Sequence, residues 1–195
     1  MDDLMKKTIL IADDAELNRD ILKYIFEEQF EILEAEDGQD TIEKIEKHKE
    51  DIAVLFLDLV MPKKTGLEVM EWMKENGYMD NIPVIMITGE ATTETDVKAY
   101  EYGASDVIYK PFEPRVVMRR TMNIMELFEH RKSIEQKLEE RTRELIESQK
   151  KLQQNNDFLV SALSSVVEFR SSESGEHIKR VKTFTEIIQI GRAHV

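Results

Sequence analysis

The chain has 195 residues, 41% of them hydrophobic, enough to bury one good core and leave some tens of residues for an extension. Its 40 acidic and 27 basic residues give a formal charge of -13, which argues against a nucleic-acid partner, because phosphate neutralisation is the main source of such affinity. Without cysteine there are neither disulfides nor thiolate sites, and no apolar run is long enough for a signal peptide or a bilayer span, so a cytoplasmic protein with no membrane partner is expected.

The first apolar run, Thr8 to Ala12, ends abruptly in Asp13 and Asp14 and reads as a strand. From Ala15 to Glu28 a helix is expected, with Leu17, Ile21, Tyr24 and Ile25 on its apolar face. Glu31 to Ala35 is a second short strand, and Gly38 precedes a helical stretch with Ile42 and Ile45 facing inward. The run from Ile52 to Pro62 is apolar enough to be buried on both faces, and it delivers one carboxylate, Asp58, to the mouth of a loop. Leu67, Met70 and Met73 mark a third helix, which Asn76 and Gly77 can stop. Ile82 to Thr88 repeats the buried-strand pattern, a helix from about Thr93 to Tyr102 closes on Gly103, and Asp106 to Tyr109 is a short strand ahead of Lys110 and Pro111.

Strand and helix alternate without a hairpin signal, which points to an α/β fold with a five-stranded, doubly wound parallel sheet. In such a sheet the carboxyl ends of the strands lie along one edge, where ligands collect. Asp13, Asp14, Asp58, Thr88 and Lys110 each stand at or just after such an end. Crowded carboxylates repel one another, so the set implies a divalent cation, and an all-oxygen site suits Mg2+ with its retained waters and phosphate ligands. Beside such a cation, the Asp58 carboxylate can attack phosphorus and form an aspartyl phosphate. Lys110 would pair with the phosphoryl oxygens, Thr88 would donate a hydrogen bond to them, and Gly89 would leave them room.

These residues resemble the receiver domains of two-component response regulators, whose fold is flavodoxin-like. The resemblance runs from about Lys6 to Phe128 and rests on Asp13-Asp14, the run Asp58 to Pro62 with Gly66 after it, Thr88-Gly89-Glu90, Gly103-Ala104 and Lys110-Pro111-Phe112. It implies Asp58 as phosphoacceptor, Asp14 as direct Mg2+ ligand, Asp13 beside it through water, and the Val60 backbone carbonyl as a further ligand. It also implies a sensor histidine kinase as partner and a cis Lys110-Pro111 bond. The family usually carries Tyr or Phe three residues before the lysine, whereas Val107 stands there. Tyr109 is expected on the opposite face of the strand, so an aromatic switch is not expected.

Beyond Pro114 one long helix is expected. Leu138, Leu145, Leu152 and Leu159 recur every seven residues, the spacing of a coiled-coil seam. The companions Ile134, Arg141, Ser148, Asn155 and Ala162 are mostly polar, so a weak or switchable parallel homodimer is expected, with a solvated single helix as the alternative.

After Phe158 the sequence looks like the opening of an HD-GYP domain, the family of metal-dependent phosphodiesterases that hydrolyse cyclic di-GMP. Glu173 to His177, followed by Arg180 and Val181, carries that resemblance. Glu173 and His177, four apart on a helix, would share a transition metal, a site expected only in a longer parent protein because the His-Asp pair and GYP loop do not follow. A kinase-type phosphoacceptor role for His177 is the alternative, although Ile178 and Lys179 stand where an acidic residue would follow. Residues 190–195 match the start of a sequencing adapter if read as ATC GGA AGA GCA CAC GTC, and are expected to be non-native. The expected divisions are therefore 1–128 receiver, 129–160 coiled-coil linker, 161–189 start of a truncated HD-GYP-like domain, and 190–195 tail. Two functions follow: a phosphoryl-accepting signalling module, or a fragment of a cyclic di-GMP phosphodiesterase that such a module regulates.

Overall fold

The apolar runs become a five-stranded, fully parallel sheet in the order β2-β1-β3-β4-β5. The computed structural model describes residues 7–89 and 92–170, with side chains to 168. The strands are β1 (Thr8–Ala12), β2 (Glu31–Ala35), β3 (Ile52–Asp58), β4 (Val84–Thr88) and β5 (Asp106–Tyr109). The helices are α1 (Glu16–Phe26), α2 (Gly38–His48), α3 (Gly66–Glu75), α4 (Thr93–Tyr102) and α5 (Pro114–Arg170). This is the doubly wound parallel sheet expected from the alternation of strand and helix, in the flavodoxin-like form that the family resemblance implies, and its reversal of strand order beside β1 opens a crevice at the carboxyl ends.

Side-chain alternation splits the core between the two sheet faces. Leu10, Leu55, Leu57, Met86 and Val107 pack on one face against Ile45, Val69 and Met70 of α2 and α3. Ile9, Ile11, Phe56, Ile87 and Ile108 pack on the other against Leu22 and Phe26 of α1 and Val117 and Met125 of α5. Phe26 and Phe56 meet with ring centroids 5.4 Å apart, and each such fully buried side chain stabilises the fold by about 1.5–3 kcal/mol.

The starts of α2, α3 and α4 are set by side-chain caps, whereas α1 starts after Ala15 without one. Asp37 accepts from the backbone of Gln39 and Asp40 at 2.9 Å to cap α2, and Thr65 and Glu68 form a reciprocal capping box on α3. Thr92 caps α4, and Gly103 ends it in the left-handed region at φ 101°.

Three expectations need correction. The inward face of α1 is Arg19, Leu22 and Phe26, whereas Leu17 and Tyr24 are 71% and 80% exposed. Ile25 does pack against the core, but a buried arginine occupies the inward position one turn before Leu22, which shifts the buried stripe away from Leu17 and Tyr24. β4 begins at Val84 rather than Ile82, because Pro83 has no N–H for the ladder, and it contributes only its carbonyl, to Leu55 N at 3.0 Å. Tyr109 lies on the same face as Val107, not the opposite one, since residues two apart on a strand share a face.

The chain forms two units, one to Ser133 and one from Ile134. In the first, Arg131 donates to the Asp80 carbonyl at 2.6 Å and lies over the Phe128 ring. In the second, helical residues Leu138, Leu145, Leu152 and Leu159 are 57–70% exposed. Among the described residues no helix is long and apolar enough to cross a membrane.

Candidate functional site

Each strand ends where its apolar run meets a polar residue, and parallel register brings those ends together. Asp13 and Asp14 follow β1, Asp58 closes β3, Thr88 closes β4, and Lys110 follows β5. Asp13 is fully buried, and Asp58 and Thr88 are 6% and 2% exposed, while Asp14 is open to solvent. Lys110 Nζ stands 2.9 Å from Asp58 Oδ1 and 2.8 Å from Asp13 Oδ2, so one ammonium bridges two carboxylates from different strands. The Lys110 amide donates to the Thr88 carbonyl at 2.8 Å, and the Lys110-Pro111 bond is cis, as the family resemblance implied.

Asp13 is held from several sides. Its Oδ1 accepts from Ala15 N at 3.0 Å and from Asn18 Nδ2 at 2.9 Å. Its Oδ2 is buried and ion-paired with Lys110, but no donor is aligned on it as a hydrogen bond. Burial pushes the Asp58 carboxyl above the usual carboxylate range; the Lys110 bond opposes this, and the nearby Asp13 and Asp14 charges reinforce it. Burial would lower the Lys110 ammonium, but its pairing with the Asp13 and Asp58 carboxylates outweighs that effect and holds it above its ordinary value.

The donor set fits a hard divalent cation. One oxygen from each of Asp13, Asp14 and Asp58 lies within 4.8 Å of the others. The Asp13 Oδ2 atom is buried beside the Lys110 ammonium, and that ammonium also meets Asp58. Val60 is on the loop two residues past Asp58, with its side chain 71% exposed. Glu173 and His177 lie outside the described residues.

The loop after Asp58 is closely packed. A Cβ on Gly66 would come within 2.4 Å of the Asp58 carbonyl oxygen, and Gly66 N donates to the Leu59 carbonyl at 3.0 Å. Among the described residues, a Cβ on Gly89 would meet nothing within 4 Å. The sequence reading missed Arg19, whose guanidinium donates to the Asp13 carbonyl at 2.8 Å. The available signal was Asn18-Arg19 itself, a polar pair one turn into a helix that begins at an acidic cluster.

Comparison with known proteins locates relatives over this region. The profile of the family described as response regulator receiver domain matches residues 9–122. A Vibrio cholerae protein described as "Probable cyclic di-GMP phosphodiesterase" is 28% identical over 188 residues, 96% of this chain and 42% of that protein. The transcriptional regulatory protein SrrA of Staphylococcus aureus is 36% identical over 122 residues, 62% of this chain and 48% of that protein. The chain thus spans less than half the length of these curated relatives. Among solved structures, a CheY-like receiver domain from Methanospirillum hungatei is 28% identical with a TM-score of 0.58, covering 65% of this chain and 98% of that one. The CheX-CheY-BeF3-Mg+2 complex from Borrelia burgdorferi matches with 30% identity and a TM-score of 0.56, covering 60% of this chain and 88% of that one.

Proposed function

Because the chain belongs to the response regulator receiver domain family, we propose that it accepts a phosphoryl group from a partner histidine kinase on Asp58 and relays the change through α5 to an output domain. The observation that carries this reading is the double bridge from Lys110 to Asp58 and Asp13 at the crevice of the sheet. Asp58 is the nucleophile: its carboxylate oxygen forms the new bond to phosphorus as the bond to the donor breaks. Lys110 supplies a positive charge for the phosphoryl oxygens, and the Thr88 hydroxyl donates a hydrogen bond to them.

Asp13, Asp14, Asp58 and the Val60 backbone carbonyl would hold Mg2+. When bound, the ion supplies charge neutralisation for the incoming phosphoryl group. The chain's residues do the rest: Asp13 and Asp58 are kept dry by burial, and the β3-α3 loop, packed around Gly66, fixes the Asp58 backbone. The test is incubation with acetyl phosphate in Mg2+ and in EDTA. Label that maps to Asp58 and requires Mg2+ supports the reading, and label elsewhere, or unchanged in EDTA, contradicts it.

A second reading concerns output. The similarity to the Vibrio cholerae relative extends over 96% of the chain, well past the receiver, which supports a cyclic di-GMP phosphodiesterase as the regulated domain. Under this reading Glu173 and His177 contribute to a metal centre of that domain, and the leucine seam from Leu138 to Leu159 pairs two copies in parallel. A protein that carries the complete output domain should hydrolyse cyclic di-GMP at a rate that depends on Asp58, and indifference to Asp58→Asn would contradict it. The proposed location is the cytoplasm, where kinase and nucleotide would both be met.

A further inference from the structure

Arg19 is an arginine only 7% exposed in the inward stripe of α1, beside an acidic site whose proposed ligand is itself a cation. A buried guanidinium there would repel that ligand unless something cancels it, yet the helix places it inward beside Leu22 and Phe26. Its contacts explain its presence. One terminal nitrogen donates to the Asp13 backbone carbonyl at 2.8 Å, Nε faces Glu34 Oε2 at 3.4 Å, and the other terminal nitrogen faces Glu36 Oε1 at 3.6 Å. Glu34, near the end of β2, is also held by Lys23 at 2.9 Å.

The neighbouring residue completes the arrangement. Asn18 Nδ2 and Ala15 N both donate to Asp13 Oδ1, at 2.9 and 3.0 Å. With Oδ1 accepting two hydrogen bonds from the α1 side, Oδ2 is the oxygen left to meet Lys110, whose ammonium also meets Asp58. The start of α1 therefore dictates both the rotamer of Asp13 and the position of its peptide group, while Glu34 and Glu36 neutralise the charge that performs the second task.

We propose that Asn18 and Arg19 are positioning residues that present Asp13 Oδ2 to a divalent cation, with Glu34 holding Arg19 in place and cancelling its charge. This rests on reading the cluster as a receiver phosphorylation site, and it adds a layer of three residues outside that cluster. Asn18 acts through the side chain of Asp13, Arg19 through its backbone, and Glu34 through Arg19. None of the three is expected to touch the ion or the phosphoryl group.

The test is isothermal titration of the full chain with Mg2+ alone, paired with thermal melting. Asn18→Leu keeps the bulk and removes the donor, so Asp13 can turn; affinity should fall about tenfold or more, since a hydrogen bond to a charged group contributes about 1.5–3 kcal/mol. Arg19→Lys keeps the charge, but one ammonium cannot hold Asp13, Glu34 and Glu36 together, and affinity should again fall. Glu34→Gln removes one of the two carboxylates that offset the guanidinium, leaving Glu36, and should weaken Mg2+ about twofold to threefold, less so at high salt. Asn18 is only half-buried, so its variant should melt close to the wild type. Altered melting with unchanged Mg2+ affinity in Asn18→Leu and Glu34→Gln would reduce these residues to structural support and overturn the proposal. Acetyl phosphate labelling of the wild type at Asp58 would still uphold the receiver reading in that case. A wild type that neither binds Mg2+ nor labels would overturn both.

Discussion

Lys110 Nζ sits 2.9 Å from Asp58 Oδ1, a contact between residues 52 positions apart in sequence that the parallel register of β3, β4 and β5 closes. The lysine and a divalent cation therefore draw on the same carboxylates. Removing the ammonium with Lys110→Met should raise Mg2+ affinity about tenfold or more: unit charges 4 Å apart interact by about 4 kcal/mol at an effective dielectric near 20, and if solvent leaves only about a third of that, the change is about tenfold. The same substitution should slow phosphoryl uptake, since the phosphoryl oxygens lose their counter-charge. Titration calorimetry and labelling kinetics check the two signs, and weaker Mg2+ binding in the variant would show that Lys110 organises the carboxylates rather than competing for them.

Gly66 supports Asp58 from behind. The atom a Cβ would strike is the Asp58 carbonyl oxygen at 2.4 Å, which is backbone and cannot rotate away. Gly66→Ala should destabilise the protein by about 1–3 kcal/mol, in the range of overpacked sites, and should slow labelling of the fraction that folds. Gly89→Ala meets no other described residue within 4 Å and should leave stability within about 0.5 kcal/mol. Chemical denaturation of both variants separates a steric requirement from a mere sequence match.

Tyr109 donates its hydroxyl to Asp96 on α4, and this bond, with smaller contributions from burial and the Asp96 charge, pushes the phenol up to about 12. A raised tyrosine pKa means that the protonated form is favoured in the folded state. The associated stability is fully present below the unfolded value near 10 and is lost as pH rises through about 12. Asp96→Asn removes the charge and should return the phenol toward its ordinary value, a change that ultraviolet titration of the tyrosinate band reads directly. An unchanged titration would mean that the two residues do not pair in solution.

Much of the fold was legible because the strands are short apolar runs stopped by charge. β1, β2 and β5 have the bounds expected from Thr8 to Ala12, Glu31 to Ala35 and Asp106 to Tyr109, and Gly103 ends α4 as its position implies. The convergence of Asp13, Asp14, Asp58, Thr88 and Lys110 was legible for the same reason: each polar residue marks a strand end. Arg19 was not, since a charged residue normally marks the solvent face of a helix, and only its three-dimensional partners Glu34, Glu36 and the Asp13 carbonyl make its burial tolerable. The Val107 site carries no aromatic ring, but Tyr109 on the same face does, and it is anchored to α4.

The leucines of the α5 extension offer a separate test. Leu145 and Leu152 are 70% and 67% exposed in the single chain, so their replacement should barely alter the stability of the receiver unit. In a parallel pair each would be buried, and truncating a buried leucine to alanine costs about 2–5 kcal/mol. The double variant Leu145→Ala, Leu152→Ala should therefore be monomeric by sedimentation equilibrium under conditions where the wild type dimerises, with labelling by acetyl phosphate intact. A wild type that is monomeric at all concentrations would contradict the seam.

The proposed role of Asp58 as phosphoacceptor of a Mg2+-dependent site is decided by intact mass after incubation with acetyl phosphate and Mg2+. The proteins compared are the wild type and Asp58→Asn, which keeps the shape of the side chain and removes its nucleophilic charge. The wild type should gain the mass of one phosphoryl group and Asp58→Asn should gain none, whereas equal labelling of the two proteins would remove Asp58 from its proposed role.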